Sequence, residues 1–199
     1  EGNTVYHEAL KYNSEHVLLF LFKNANKDFI NRLNTNGETI LHMASQIDNP
    51  NILSMCLKLG SDVNALNNDD ETPIYYAIRA GIYNNVLKLI NNRAIIQQEN
   101  INSETPFIIS CLTEKRSINI VRLLVDNGAD INKTKDGKTI LQILLTKKDI
   151  RVVDEEIRTY LQNIKIKELG IDMNKKLTEE ETEQLEDILY IVLGKDKYQ

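Results

Sequence analysis

The chain has 199 residues, of which 42% are hydrophobic and 27% charged, a composition that fits a globular or repeat protein with a continuous core. Its longest apolar run covers residues 17–22, whereas a membrane-spanning helix needs roughly 20 residues, so we expect no membrane insertion. The formal net charge of −5 arises in residues 149–199, which carry 13 acidic and 8 basic side chains, and no part of the chain has the concentrated positive charge that nucleic acid binding requires.

Five similar hexapeptides, each beginning with threonine, recur along the chain. The intervals between their threonines are 35, 33, 33 and 34 residues. A nearly constant period of this length indicates a protein built from repeated supersecondary units. The hexapeptides are Thr4-Val-Tyr-His-Glu-Ala9, Thr39-Ile-Leu-His-Met-Ala44, Thr72-Pro-Ile-Tyr-Tyr-Ala77, Thr105-Pro-Phe-Ile-Ile-Ser110 and Thr139-Ile-Leu-Gln-Ile-Leu144.

Each hexapeptide carries the signals that start a helix. We expect the threonine to cap the helix, because its hydroxyl accepts a hydrogen bond from an otherwise unsatisfied backbone N–H group. Pro73 and Pro106 follow at the first helical position, where no N–H group is needed. A second apolar stretch with helical spacing comes next, and we expect Gly60 and Gly128 to end it as left-handed caps. Because each unit has apolar surface on two sides, the units must stack.

The hexapeptides resemble the T-P-L-H-x-A signature of the ankyrin repeat, whose period is about 33 residues. Residues 52–65 and 120–132 are similar to the second half of that repeat, I-V-x-L-L-L-x-x-G-A-D-V-N. The resemblance implies an all-α fold, namely an ankyrin-repeat solenoid of helix–turn–helix repeats with β-hairpin-type loops and C-terminal capping helices. The expected segments are repeats at 1–33, 34–66, 67–99, 100–133 and 134–169, the last with an extended second helix, and an acidic capping helix at 170–199.

Several positions depart from the family's pattern. Asp70 and Ser103 stand where the hairpin turn usually has glycine, which makes a positive φ less comfortable there. The resemblance implies that the signature histidine bonds to the neighbouring hairpin backbone. Tyr75, Ile108 and Gln142 replace that histidine, so we expect the last three repeats to need another bond and to be less stable. Two-residue insertions fall around residues 26–28 and 113–117.

The C-terminal quarter of the chain differs from the repeats. Apolar residues keep helical spacing from Asp149 up to Gly170, which predicts one long helix. Thr178 and Glu181 then form the pattern of a capping box. A terminal repeat needs a polar outer cap, so we interpret the last segment as a capping helix, with a partner-binding or dimerising helix as the alternative. Its predicted buried stripe is Leu185, Ile188, Leu189 and Val192.

We find no residue pattern that indicates catalysis, a metal or a cofactor. The carboxylates of Asp69, Asp70 and Glu71 are adjacent, but on a hairpin tip we expect a solvated acidic cluster. The chain lacks the glycine-rich motifs that bind phosphates. Cys56 and Cys111 lie in apolar helical stretches, so we expect buried free thiols in a reducing compartment. We therefore predict a protein that is not an enzyme and takes no cofactor.

Ankyrin stacks usually bind protein with their hairpin tips and with the concave surface of their first helices. The resemblance therefore places a protein-binding surface on named positions of this chain. Its charge changes from acidic at Asp69 and Glu71 to basic at Lys135 and Lys138, which predicts a partner with complementary charges. The alternative is that this strip is only solvated surface and that the convex face or the cap binds. The predicted partner-binding residues are Tyr12, Asn36, Glu38, Gln46, Ile47, Asn68, Asp69, Glu71, Arg79, Ile101, Glu104, Leu112, Lys135, Lys138 and Lys147.

The pattern favours a non-catalytic protein–protein interaction module that is monomeric by itself. Because position 1 is glutamate, we expect it to be part of a larger regulatory, scaffold or host-targeting effector protein. We expect it in the cytoplasm, with the host-cell cytosol and the nucleus as further locations. Two alternatives stay open. One is an inhibitor of a transcription factor resembling the IκB group, from a weaker likeness at residues 2–4 and 29–31; the other is a regulatory segment of an enzyme whose catalytic domain lies elsewhere in the polypeptide.

Overall fold

The computed structural model describes residues 2–24, 30–146 and 151–185. Contacts divide the chain into two compact units, residues 1–130 and 131–199. In the first unit the helices are α1 (Val5–Lys11), α2 (Glu15–Lys23), α3 (Ile40–Ser45), α4 (Pro50–Lys58), α5 (Pro73–Ala80), α6 (Tyr83–Asn91), α7 (Pro106–Leu112) and α8 (Ile118–Asp126). In the second unit the elements are β1 (Thr134–Lys135), β2 (Lys138–Thr139), α9 (Ile140–Thr146), α10 (Val152–Glu168) and a helical segment over 179–185.

The first helix of each pair begins where the hexapeptide predicts. Thr105 has the extended backbone of an N-cap residue, and its hydroxyl accepts a hydrogen bond from the N–H of Ile108 at 3.4 Å. The two prolines of the signature occupy the first turn of α5 and α7. After the second helices α4 and α8, Gly60 and Gly128 have φ of 90° and 89°, which confirms the predicted left-handed ends.

Stacking of neighbouring pairs builds the core of the first unit. The first helices α1, α3, α5 and α7 contact one another in that order, and so do the second helices α2, α4, α6 and α8. Burying an aliphatic side chain stabilises a fold by about 1.5–3 kcal/mol, so these contacts hold the pairs together. Fully buried side chains of this core include Leu41, Leu53, Ile78, Val86 and Leu124.

The hairpin tips between the pairs form a connected ladder. The backbone N–H of Asn68 donates to the carbonyl oxygen of Asn36, and that of Ile101 donates to Asp69, both at 3.0 Å. Within each tip, one asparagine side-chain oxygen accepts two backbone N–H groups and so replaces a backbone turn contact. These asparagines are Asn34, Asn67 and Asn100.

The tip turns require a positive φ, as the glycine of the family pattern suggests. Gly37 has φ of 73°, and Asp70 and Ser103 have φ of 57° and 56° at the equivalent turns. Both replacements therefore hold a side chain in the left-handed region, as the sequence predicts. Glycine is thus not required at every tip turn.

In the second unit, a short antiparallel hairpin precedes the helix pair. Thr134 lies opposite Thr139, and the turn between the strands has positive φ at both Asp136 and Gly137, 52° and 75°. The predicted β-hairpin-type loop is therefore present here. The following helices bury Leu144 and Ile157, and α10 is the long helix expected from the spacing.

The predicted capping box is confirmed before the last described helical segment. The N–H of Thr178 donates to the Glu181 carboxylate at 2.7 Å, and the N–H of Glu181 donates to the Thr178 hydroxyl at 3.2 Å. Leu185 is buried, whereas the predicted stripe residues Ile188, Leu189 and Val192 lie outside the described residues. Among the described helices, none has the length and apolarity to cross a membrane.

Candidate functional site

A hollow of about 570 Å³ opens between the hairpin tips and the first helices of the first unit. We call it the tip hollow. Asp69 and Asn102 reach it from successive hairpins, whereas Tyr76 and Arg79 reach it from α5. Its lining residues are Gln46, Asp69, Glu71, Tyr76, Arg79, Ala80, Asn102 and Lys115. The hollow therefore collects side chains from the second, third and fourth helix pairs.

The tip hollow brings together four of the predicted partner-binding residues, which are Gln46, Asp69, Glu71 and Arg79. Four of its lining residues are not among the predicted partner-binding residues, namely Tyr76, Ala80, Asn102 and Lys115. Tyr76 occupies the variable fifth position of its hexapeptide, and an aromatic residue there is the signal that identifies it. Lys115 lies in the insertion after α7, which the length of that repeat reveals.

One wall of the hollow is an ion pair between the buried Glu71 and Arg79, whose side chain is exposed. Glu71 is only 5% exposed, and its carboxylate accepts two hydrogen bonds from the guanidinium of Arg79, one of them at 2.5 Å. Asn100 donates a third hydrogen bond to the same carboxylate at 3.1 Å. The hydrogen bonds to Glu71 raise the pKa of Arg79. Because a buried charge without its partner is strongly destabilising, this pair fixes the shape of the wall.

The other wall rests on Tyr76. Its hydroxyl donates to the Glu38 carboxylate at 2.7 Å and accepts from the Asn67 side-chain amide at 3.0 Å. Burial raises the pKa of Glu38, but hydrogen bonds from Asn34, Tyr76 and Asn36 outweigh it and leave that pKa lowered. Burial also raises the pKa of Tyr76, so the phenol stays protonated and keeps donating. Glu38 is half-buried, and its carboxylate links its own hairpin tip to α5, the first helix of the following pair.

The signature histidines belong to the scaffold beneath the hollow. The Thr39 N–H donates to Nδ1 of His42, and Nε2–H of His42 donates to the Glu71 carbonyl oxygen at 3.0 Å. His7 makes the same contact with the carbonyl oxygen of Glu38 at 2.9 Å. Burial lowers the pKa of both histidines, which keeps the rings neutral and suited to these bonds.

The three replacements of the signature histidine behave differently. The Tyr75 hydroxyl lies 2.5 Å from the Gln98 carbonyl oxygen and 2.7 Å from that of Glu104, so its one proton bonds to the chain segment that forms the next hairpin. Gln142 keeps the other half, because its side-chain oxygen accepts from the Thr139 N–H at 2.8 Å. Ile108 has no polar side-chain atom and makes neither bond. Among the described residues, the hydroxyl of Thr72 has no partner, because a tyrosine three residues later does not reach back to it as histidine does.

The other predicted binding residues fall into three groups. Exposed positions are Tyr12, Asn36, Asn68 and Ile101 in the first unit and Lys138 in the second. Half-buried positions are Ile47, Leu112 and Lys135, besides Glu38. Glu104 is buried like Glu71, and Asn100 donates to its carboxylate at 3.2 Å. Lys147 lies outside the described residues.

The acidic cluster at residues 69–71 does not converge. Asp69 and Asp70 are exposed, whereas Glu71 turns into the wall toward Arg79. Within the described ranges, no three His, Cys, Asp or Glu side chains are grouped so that they could hold a metal ion. The chemistry available in the tip hollow is therefore hydrogen bonding and charge complementarity.

Helix pairs that stack in parallel and are joined by hairpins define an all-α protein of the ankyrin-repeat class. The chain belongs to the ankyrin repeat family. The family model described as ankyrin repeats in three copies matches residues 6–100, and the model of the single ankyrin repeat matches residues 102–136. Ankyrin repeats are generally protein-interaction modules and typically have no catalytic role.

Two relatives are much longer than the region that matches the chain. The chain is 29% identical over 180 residues to an ankyrin repeat protein of Acanthamoeba polyphaga mimivirus. The aligned region covers 88% of this chain and 23% of that protein. The chain is also 27% identical over 101 residues to the AVO2 subunit of target of rapamycin complex 2 from Saccharomyces cerevisiae. That aligned region covers 51% of this chain and 24% of the subunit. The chain thus matches about a quarter of the length of each relative.

Proposed function

We propose that the first unit binds a protein partner through the tip hollow and the exposed tips beside it, and that it catalyses no reaction. The observation that carries this proposal is the contrast between the wall and the rim of the hollow. The wall is held by the buried carboxylate of Glu71, which accepts hydrogen bonds from Arg79 and Asn100, whereas Asp69 and Asn102 at the rim are exposed. A fixed frame that carries exposed side chains favours binding, because little conformational entropy is lost when a partner docks.

The charges and apolar groups of the rim indicate the kind of partner. Asp69 and Asp70 present negative charge at one tip, and Lys115 presents positive charge on the other side of the hollow. Ile101 is 59% exposed beside Asn102 and supplies an apolar anchor. We therefore propose a partner segment with a basic group that meets Asp69 and an apolar side chain that meets Ile101.

Two lysines of the second unit, the half-buried Lys135 and the exposed Lys138, form a separate proposed contact. Lys135 and Lys138 lie side by side on the β1–β2 hairpin and suit an acidic segment of the partner. Tyr12, Asn36 and Asn68 complete the exposed positions that we propose for contacts in the first unit.

The relatives support a role within a larger assembly. One of them is, by its name, a subunit of a protein complex, and both are about four times longer than the matched region. We propose that the chain acts as a scaffold or regulatory part of a longer polypeptide. Cys56 and Cys111 are buried and form no disulfide, which fits a reducing compartment, so we propose the cytoplasm as its location.

Photo-cross-linking from two exposed asparagines tests the proposed site. Asn102 lies at the rim of the tip hollow, whereas Asn119 lies between the second helices α6 and α8. A photoreactive phenylalanine analogue replaces one or the other in the intact chain, and cross-linked proteins from cells are identified by mass spectrometry. We expect one protein to cross-link from position 102 and not from 119. Cross-links from 119 alone, or equally from both positions, would overturn the proposal.

A further inference from the structure

The edge of the first helix pair that faces away from α3 and α4 exposes apolar side chains. Val5 is 58% exposed, Val17 47% and Phe20 68%. We call these three residues the leading edge. Side chains of this kind on one pair of helices form an apolar patch that a folded protein usually covers.

The equivalent positions in the next three helix pairs are covered. Val17 corresponds to Ile52, Asn85 and Ile120, which stand third in α4, α6 and α8 and are 2%, 1% and 1% exposed. Val5 corresponds to Ile40 and to the two signature prolines, all of them buried. The following pair leaves Val17 exposed, so we attribute the cover at the three equivalent positions to the preceding pair, since α2, α4 and α6 contact α4, α6 and α8 in turn.

Contacts at Asn85 show how the preceding pair covers this position. Its side-chain amide donates to the carbonyl oxygens of Ser45 and Ile47 at 3.0 and 2.9 Å, and both belong to the end of the preceding first helix and its turn. An apolar residue at the same position, such as Ile120 or Val17, calls for an apolar covering surface instead. The leading edge therefore has the character of a face between two pairs and not that of a polar terminal cap.

Gly2 carries a second, independent sign. It has φ of 62°, and a Cβ atom there would lie 2.9 Å from Cγ2 of Thr35 and 3.0 Å from its backbone nitrogen. Gly37 occupies the same place two residues before the next signature threonine, with φ of 73° and a similar approach to Asn68. Gly2 is thus built as the turn glycine of a hairpin tip, the element that joins two successive helix pairs.

We infer that the leading edge is the docking face of another ankyrin-type helix pair, located upstream of residue 1 in the natural polypeptide. The covering surface at every equivalent position is the pair that precedes it in the chain, and Gly2 has the conformation of a residue in the connecting hairpin. The mimivirus relative, which matches 88% of this chain, leaves about three quarters of its own length for further segments.

Amide hydrogen exchange in the natural polypeptide, with its upstream residues, tests the inference. We expect amides of α1 and α2 to exchange at least about tenfold more slowly there than in the 199-residue chain, because burial of one side chain such as Val17 suffices for that factor. The double substitution Val17→Glu and Phe20→Glu should remove this protection, because a carboxylate cannot donate to the backbone carbonyls of a preceding pair as Asn85 does, while leaving the Tm of the 199-residue chain unchanged. Equal exchange in the two proteins would overturn the inference, and so would a dimer of the 199-residue chain that the double substitution abolishes.

A fusion gives a matched control within the chain's own sequence. A copy of residues 67–101 placed directly before Glu1 keeps the repeat spacing and presents the surface that covers Ile120. A copy of residues 34–68 keeps the same spacing but presents the surface that covers the polar Asn85. We expect a higher Tm and slower exchange in α2 from the first fusion than from the second. An identical outcome for both fusions would contradict an apolar docking face.

Discussion

Replacing the tip glycine Gly37 by alanine, beside the same change at Gly60, separates two contributions to the loss of stability. One is the left-handed backbone conformation, and the other is the close contact of the new Cβ atom. Gly37 has φ of 73°, and Gly60, at the end of α4, has φ of 90°. Both substitutions place a Cβ atom in a left-handed conformation, at a cost of about 1 kcal/mol. At Gly60 nothing lies within 4 Å of the new atom, so no further cost arises there.

At Gly37 the new Cβ atom would lie 2.5 Å from Oδ1 of Asn68 and 2.7 Å from its backbone nitrogen. Rotation of a side chain relieves the first contact but not the second, so the neighbouring tip must move. That movement strains two hydrogen bonds, from the Asn68 N–H to Asn36 at 3.0 Å and from its side chain to Thr35 at 2.9 Å. Each hydrogen bond contributes about 1 kcal/mol, and the backbone conformation adds about 1 kcal/mol. We therefore expect Gly37→Ala to lower the free energy of unfolding by about 3 kcal/mol, and Gly60→Ala by about 1 kcal/mol.

Urea unfolding followed by circular dichroism measures both variants beside the unchanged chain. A difference of about 2 kcal/mol corresponds to a Tm lower by roughly 4–8 °C for Gly37→Ala than for Gly60→Ala. Equal losses in the two variants would refute the reasoning, because the close approach of adjacent tips would then contribute nothing to stability.

Three further predictions concern buried groups. Because burial lowers the pKa of His42, the unfolded chain binds more protons than the folded chain below pH 6.5. The free energy of unfolding should therefore fall as the pH falls, by up to about 1.4 kcal/mol per pH unit, and it should fall less in His42→Gln. A flat pH profile in unfolding titrations would be the contrary result. Tyr75→Phe removes the one hydroxyl proton that the carbonyl oxygens of Gln98 and Glu104 share, and it should lower the free energy of unfolding by about 1–3 kcal/mol. An unchanged midpoint in urea unfolding would show that the bond is dispensable. Burial raises the pKa of Cys56 to about 12, so a thiol reagent should label it only after unfolding; fast labelling of the native chain, followed by mass spectrometry, would show that this pair of helices opens readily.

The repeat period and the capping residues could be read from the sequence, because they depend on local backbone chemistry. Threonine caps, proline in the first turn and glycine at helix ends act within a few residues of their own position. The positive φ of Asp70 and Ser103 followed from the same spacing. Such features depend little on the identity of the neighbouring repeat.

The details of the tip hollow could not be read in the same way, because they depend on contacts between residues far apart in the chain. Glu71 has a charged side chain on a hairpin tip, which suggests exposure, yet Arg79 and Asn100 draw its carboxylate into the wall. Likewise, Tyr75 replaces a histidine in sequence but reaches the next hairpin because its side chain is longer. Which polar residue is buried therefore depends on the partners that the neighbouring pair and hairpin supply.

The tip hollow as a protein-binding site is the central claim, and a pair of charge reversals tests it most directly. Asp69→Lys changes an exposed carboxylate at the rim, and Asp126→Lys makes the same change at an exposed position between the second helices. Calorimetry at low and at physiological salt measures the Kd with which each variant binds the partner that photo-cross-linking identifies. We predict a Kd raised at least about tenfold by Asp69→Lys, more so at low salt, and unchanged by Asp126→Lys. Equal affinity of both variants, or a loss confined to Asp126→Lys, would contradict the claim.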